Sequence, residues 1–100
     1  MYYILSLLHS AKHEKFLTLW RPNNAGYCYS RQMAGVYERA EQGYHDNDGN
    51  MSIPVDEAHK LMNLFLLREF GYIPKYMIPN NKATLRKLKL KRVKGQLTRI

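Results

Sequence analysis

One hundred residues, 45% hydrophobic and 24% charged, make a chain long enough for one domain with a modest core and too apolar for intrinsic disorder. The formal net charge of +8 is unevenly placed: residues 1–69 carry seven Lys/Arg against eight Asp/Glu, whereas residues 70–100 carry nine Lys/Arg and no acid. A single cysteine, Cys28, excludes an intrachain disulfide, and the apolar runs are too short to cross a bilayer.

Residues 2–8 are apolar apart from Ser6, with neither the basic flank nor the small-residue cleavage site of a signal peptide. They read as a buried strand, and the protein is expected in the cytoplasm of its host cell. Phe16 to Trp20 is a second apolar run, and Tyr27-Cys28-Tyr29 a third. The intervening Arg21-Pro22-Asn23-Asn24-Ala25-Gly26 has turn chemistry: Pro presets φ, and Asn and Gly tolerate positive φ. Short connections favour antiparallel pairing, so a three-stranded meander is expected, with Tyr27 and Tyr29 on one face.

Ser30 reads as an N-cap, and Met33, Ala34, Val36, Tyr37 and Ala40 have roughly helical spacing, weakened by Gly35. After a polar loop, Met51 to Ile53 reads as a short strand. The strongest helix is expected from Pro54, with Asp56 and Glu57 in its first turn. Its apolar stripe is Val55, Ala58, Leu61, Met62, Phe65 and Leu66, and Gly71 is its stop. Leu64 and Leu67 fall outside that stripe, as a seam for a homodimer or for the C-terminal segment. Tyr72 to Pro79 reads as extended, and Asn80-Asn81 as a turn or an N-cap. Beyond it, Leu88 and Leu90 suit a strand, Leu90, Val93 and Leu97 suit a helix, and residues 95–100 are expected to fray. The expected fold class is α+β: a small antiparallel sheet packed on one main helix over residues 1–79. Residues 80–100 form a basic C-terminal segment, part of that domain or an appendage to it.

The basic segment carries the leading functional signal. Lys82, Arg86, Lys87, Lys89, Lys91, Arg92, Lys94 and Arg99 are interleaved with Leu85, Leu88, Leu90 and Val93. Such a segment favours a polyanion, whether nucleic acid or the acidic surface of a protein complex. Without Trp or Phe to insert, it is not expected to bind a membrane. Trp20 and Arg21 with Tyr27 and Tyr29 form a second candidate, since aromatic rings on a sheet can stack unpaired bases; the alternative places Trp20 in the core. A third runs from Asp46 to Glu57. Asp46, Asp48, Asn50 and Glu57 fall at the ligand positions of an EF-hand loop, but Met51 stands where that loop needs Gly and Pro54 is awkward. A polar turn feeding a capped helix is the favoured account. His9 and His13 are four apart but belong to a turn, with no clear third metal ligand.

Nucleophile-elbow, P-loop, dinucleotide-binding and zincin motifs are absent. The expectation is a binding protein with no cofactor, not an enzyme. A small metal-dependent hydrolase or nuclease built on the acids between Glu38 and Glu57 is kept as an alternative, as is a homo-oligomeric assembly module.

Phe16-Leu17-Thr18-Leu19-Trp20-Arg21-Pro22-Asn23-Asn24-Ala25-Gly26-Tyr27, followed by Ala34-Gly35-Val36-Tyr37, resembles short uncharacterised bacteriophage and prophage proteins. They share an F-x-T-x-W-R-P-x-x-A-G-Y pattern followed by A-G-x-Y. The match covers roughly residues 3–55 and leaves the basic segment outside. The resemblance implies an accessory protein that engages host machinery, of which an anti-CRISPR or other anti-defence inhibitor is one concrete form.

Overall fold

The apolar run at the start of the chain forms a strand because it finds partners on both sides. In the computed structural model, which describes residues 1–100, Tyr2–Ser6 is β1 and pairs antiparallel with β2 (Thr18–Trp20). Next to β2 lies β3 (Tyr27–Cys28), and on the other side of β1 lies β4 (Asn50–Pro54), giving the order β3-β2-β1-β4. The meander expected from the sequence is present, and the expected short strand at Met51–Ile53 joins it as β4.

Strand alternation divides this sheet into two faces. Tyr3, Leu5, Leu7, Leu17, Leu19, Cys28 and Ile53 belong to the main core. Ile4, Ser6, Thr18 and Trp20, also buried, take the opposite face. That second face is covered by loops, whose Tyr44 and His45 rings meet Trp20 edge-on at 5.4 and 5.3 Å. Trp20 is therefore packed under these loops. Cys28 donates weakly to the Ser30 carbonyl, and burial pushes its thiol pKa up, against the opposing effect of Arg21. We expect native protein to react slowly with a thiol reagent at neutral pH and rapidly once denatured; equal rates would contradict this burial.

No helix forms over residues 33–40. Gly35 instead lies against the Arg21–Pro22 backbone and donates to the Trp20 carbonyl at 2.9 Å. Tyr37 exchanges two backbone hydrogen bonds of 2.8 Å with Tyr2, and its hydroxyl donates to the Arg21 carbonyl. The segments 16–27 and 34–37 thus dock on each other.

The long helix expected from Pro54 is also absent. Pro54 stands at the N-cap position and α1 covers only Val55–Leu61, with Asp56 and Glu57 in its first turn. Met62 is already extended, and Asn63–Phe65 becomes β5, paired antiparallel with β6 (Lys75–Met77). A ladder partner ten residues downstream and the Phe65–Phe16 ring contact at 4.8 Å outweigh local helical spacing. Gly71 does end a helical turn, a 3₁₀ turn at Arg68–Phe70, with φ 64.

Asn81 is an N-cap: its side chain accepts from the Thr84 amide at 2.9 Å and starts α2 (Lys82–Lys87). A hairpin of β7 (Leu90–Val93) and β8 (Gln96–Arg99) follows, so residues 96–99 are ordered in a ladder and not frayed. Leu85, Leu90 and Leu97 enter the main core cluster, which makes the basic segment part of the body. The chain is α+β, and no helix is long and apolar enough to cross a membrane.

The β7–β8 turn places Lys94 and Gly95 at φ 53 and 84, the left-handed pair of a type I′ hairpin. Asn suits the first position better than Lys. Lys94→Asn is expected to stabilise by about 0.5–1 kcal/mol, a rise of roughly 2–8 °C in a thermal melt.

Candidate nucleic-acid interface

Of the nine Lys/Arg in residues 70–100, only Arg99 lies within 4.0 Å of a carboxylate, Asp46 at 3.7 Å. The remaining eight face no acid of their own chain at contact distance. Helix α2 and strand β7 bring Lys82, Arg86, Lys91 and Arg92 around one groove of about 520 Å³, where Lys12 joins them from the β1–β2 connection. Leu85, Leu90 and Ile100 supply its apolar surface, Asn80 and Asn81 its neutral polar part, and no Asp or Glu side chain lines it.

Arg92 builds the groove. Its Nη1 donates to the Ser10 and Gly95 carbonyls, both at 3.0 Å. Its Nη2 donates to Asn80 Oδ1 at 2.8 Å and to the Ala11 carbonyl at 3.4 Å. All four acceptors are neutral, so the charge is hydrogen-bonded but not neutralised. Burial holds its pKa below the ordinary guanidinium value. Arg92 thereby ties the C-terminal hairpin to the Ser10–Ala11 segment, while Lys12, Lys82, Arg86 and Lys91 keep their charged ends for solvent or a ligand. Lys87, Lys89 and Lys94 are exposed but do not line the groove.

The aromatic set divides. Trp20 is only 7% exposed, and its indole Nε1–H is buried without an acceptor, a state that costs about 1–3 kcal/mol. Tyr27 stands edge-on to Trp20 at 6.3 Å and stacks on His9 at 4.2 Å. Tyr29 lies beyond the end of β3, donates to Glu14 and packs against Phe16. It does not share a platform with Tyr27, because strand alternation ends at Cys28. Arg21 Nε donates to the Tyr27 carbonyl at 2.9 Å, bracing its own turn. Trp20, Tyr27 and Tyr44 border a second cleft, of about 440 Å³, with Asn24, Gly26, Asn47 and Asn50.

The EF-hand reading fails on backbone geometry. Residues 50–54 are extended against β1, with Met51 opposite Leu5, and cannot wrap an ion. Asp46 uses its carboxylate on Ser52, accepting from the amide at 2.8 Å and from the hydroxyl. Asp48 is exposed in the turn before β4, Asn50 is in β4 and Glu57 is in α1. No three His, Cys, Asp or Glu side chains come together as a metal-binding group. Leu64 and Leu67 share no helical seam: Leu64 is half exposed on β5, and Leu67 is partly buried ahead of the 3₁₀ turn.

Sequence reasoning missed Lys12 in the groove and Tyr44, Asn24, Asn47 and Asn50 in the cleft. Lys12, Tyr44 and Asn47 come from loops distant in sequence from the elements they join, Asn50 opens β4, and Asn24 belongs to the turn between β2 and β3; no local spacing marks them as one set. No protein-family model, curated protein or solved structure matches this chain.

Proposed function

We propose that this protein is a non-enzymatic, phage-type accessory protein whose basic groove binds nucleic acid, either free or within a host complex that handles it. An anti-CRISPR or other anti-defence inhibitor is one concrete form. The observation that carries the reading is the convergence of Lys12, Lys82, Arg86 and Lys91 on one concave surface without an acidic side chain. Uncompensated cations on a concave surface attract anions from a distance and release condensed counterions when phosphates dock.

The apolar surface from Leu85, Leu90 and Ile100 favours a second reading, in which an acidic protein segment lies in the groove. A titration separates the two. Labelled oligonucleotides and a labelled acidic peptide are followed by fluorescence anisotropy at low salt. Saturable oligonucleotide binding that weakens as salt rises is the expected result. Peptide binding alone would move the assignment to a protein partner, and no binding of either would end the proposal.

A further inference from the structure

The cleft bordered by Trp20, Tyr27 and Tyr44 offers both a face and an edge to a flat ligand. Tyr27 and Tyr44 are 43% and 44% exposed, and both stand roughly perpendicular to the buried indole. The hydrogen-bonding groups beside them are pre-oriented. His45 Nδ1 accepts from the Glu41 amide, so Nε2 carries the proton and donates to Asn24 Oδ1 at 3.1 Å. That bond fixes the Asn24 amide and leaves its Nδ2 without a partner in the protein. At Asn50 the reverse holds: Nδ2 donates to the Tyr44 carbonyl at 3.1 Å, leaving Oδ1 unused. A free donor and a free acceptor beside exposed aromatic rings match the edge and face of an unpaired nucleobase.

Two chain segments join this cleft to the basic groove. His9 stacks on Tyr27, the Ser10 and Ala11 carbonyls are held by Arg92, and Lys12 lines the groove. His9 to Lys12 spans at most about 10 Å even when extended. Arg99 donates to the Asn47 and Asn50 carbonyls at the cleft, and its neighbour Ile100 lines the groove. One strand can therefore reach both. A base paired within a duplex cannot enter the cleft without first being unpaired and unstacked.

Building on the polyanion reading above, we propose that the ligand is single-stranded nucleic acid. One unpaired base sits in the Trp20–Tyr27–Tyr44 cleft, and the adjoining phosphates lie against Lys12, Lys82, Arg86 and Lys91.

Trp20 is the chain's one tryptophan, so its fluorescence reports on the cleft. The protein is titrated with a single-stranded oligonucleotide of roughly ten nucleotides, with the same sequence as a duplex, and with inorganic polyphosphate. The single strand should bind tightest and change Trp20 emission, whereas polyphosphate should bind without that change. Tyr44→Ala should weaken the single strand by roughly 10- to 100-fold and leave polyphosphate within about twofold, since it lacks a base to stack. Tyr44→Phe should keep near-normal affinity. Asn24→Asp retains the acceptor for His45 but removes the free donor, and should cost roughly tenfold in single-strand affinity. A thermal melt of each variant checks its fold.

Equal binding of duplex and single strand, silent Trp20 emission and a neutral Tyr44→Ala would overturn the single-strand assignment while leaving the groove intact. Failure of all three polyanions to bind would remove the groove reading as well.

Discussion

A triple variant, Lys82→Glu, Arg86→Glu and Lys91→Glu, is expected to lose more than about 100-fold in oligonucleotide affinity at low salt while remaining folded. All three side chains are exposed and none carries a hydrogen bond that holds the body together. If the four solvent-facing groove cations each meet a phosphate, the logarithm of affinity should fall with a slope of about −2.8 for a single strand, at roughly 0.7 per contact. Between about 50 and 200 mM salt that slope gives a loss of roughly 50-fold. The variant should retain only a shallow slope, because Lys12 alone remains and three carboxylates repel phosphate. Anisotropy titrations across a salt series measure both quantities. Wild-type binding that ignores salt, or a variant with undiminished affinity, would remove electrostatics as the mechanism. Truncation at Asn80 is a poorer experiment, because it strips Leu85, Leu90 and Leu97 from the core along with the charges.

The largest stability effect is expected at Gly35. A Cβ there would stand 2.7 Å from the Pro22 nitrogen and 2.8 Å from the Arg21 carbonyl carbon. Both are backbone atoms, held by Arg21 N to Gly26 O at 2.8 Å and by the Tyr37 hydroxyl on the Arg21 carbonyl. Neither can yield as the end of a flexible side chain would. Gly35→Ala must push the turn away from β2 and weaken the Gly35 N to Trp20 O bond. We expect a loss of about 3 kcal/mol or more, a fall of roughly 12–24 °C in melting temperature. An isolated helix would gain about 1 kcal/mol from the same change. A melt therefore separates docked turn from helix by its sign, and a stabilised Gly35→Ala would contradict the arrangement described.

Several features follow from neighbouring residues alone. Tyr2–Ser6, Thr18–Trp20 and Tyr27–Cys28 are short apolar runs separated by turn residues, and each became a strand of the meander. Asp56 and Glu57 mark the first turn of α1, and Asn81 caps α2. After Asn81, Leu90 is in a strand, as one spacing predicts, whereas the helical spacing of Leu90, Val93 and Leu97 is overridden by the β7–β8 ladder and the helix is confined to Lys82–Lys87. Where the fold departs from local spacing, the cause is the same. Met33 to Ala40 and Met62 to Leu66 carry helical spacing, but the first is claimed by Arg21–Pro22 and Tyr2, the second by β6 and Phe16. Asp46 matched a calcium ligand in spacing, yet Ser52 takes its carboxylate.

The α+β class, the three-stranded meander of β1, β2 and β3 and the acid-free cationic end were determined by composition and local pattern. Those properties depend on residue type and on runs joined by short connections, whereas the pairing of β4 with β1, about fifty residues away, does not. Which cations share a surface was decided only by tertiary packing. Arg92 crosses the molecule to hold the Ser10 and Ala11 carbonyls, and so brings Lys12 beside Lys82, Arg86 and Lys91. The cleft likewise exists because His45 and Tyr44 close over Trp20 from a loop more than twenty residues away. Periodicity describes a segment's own geometry, and long-range hydrogen bonds and ring contacts choose its neighbours.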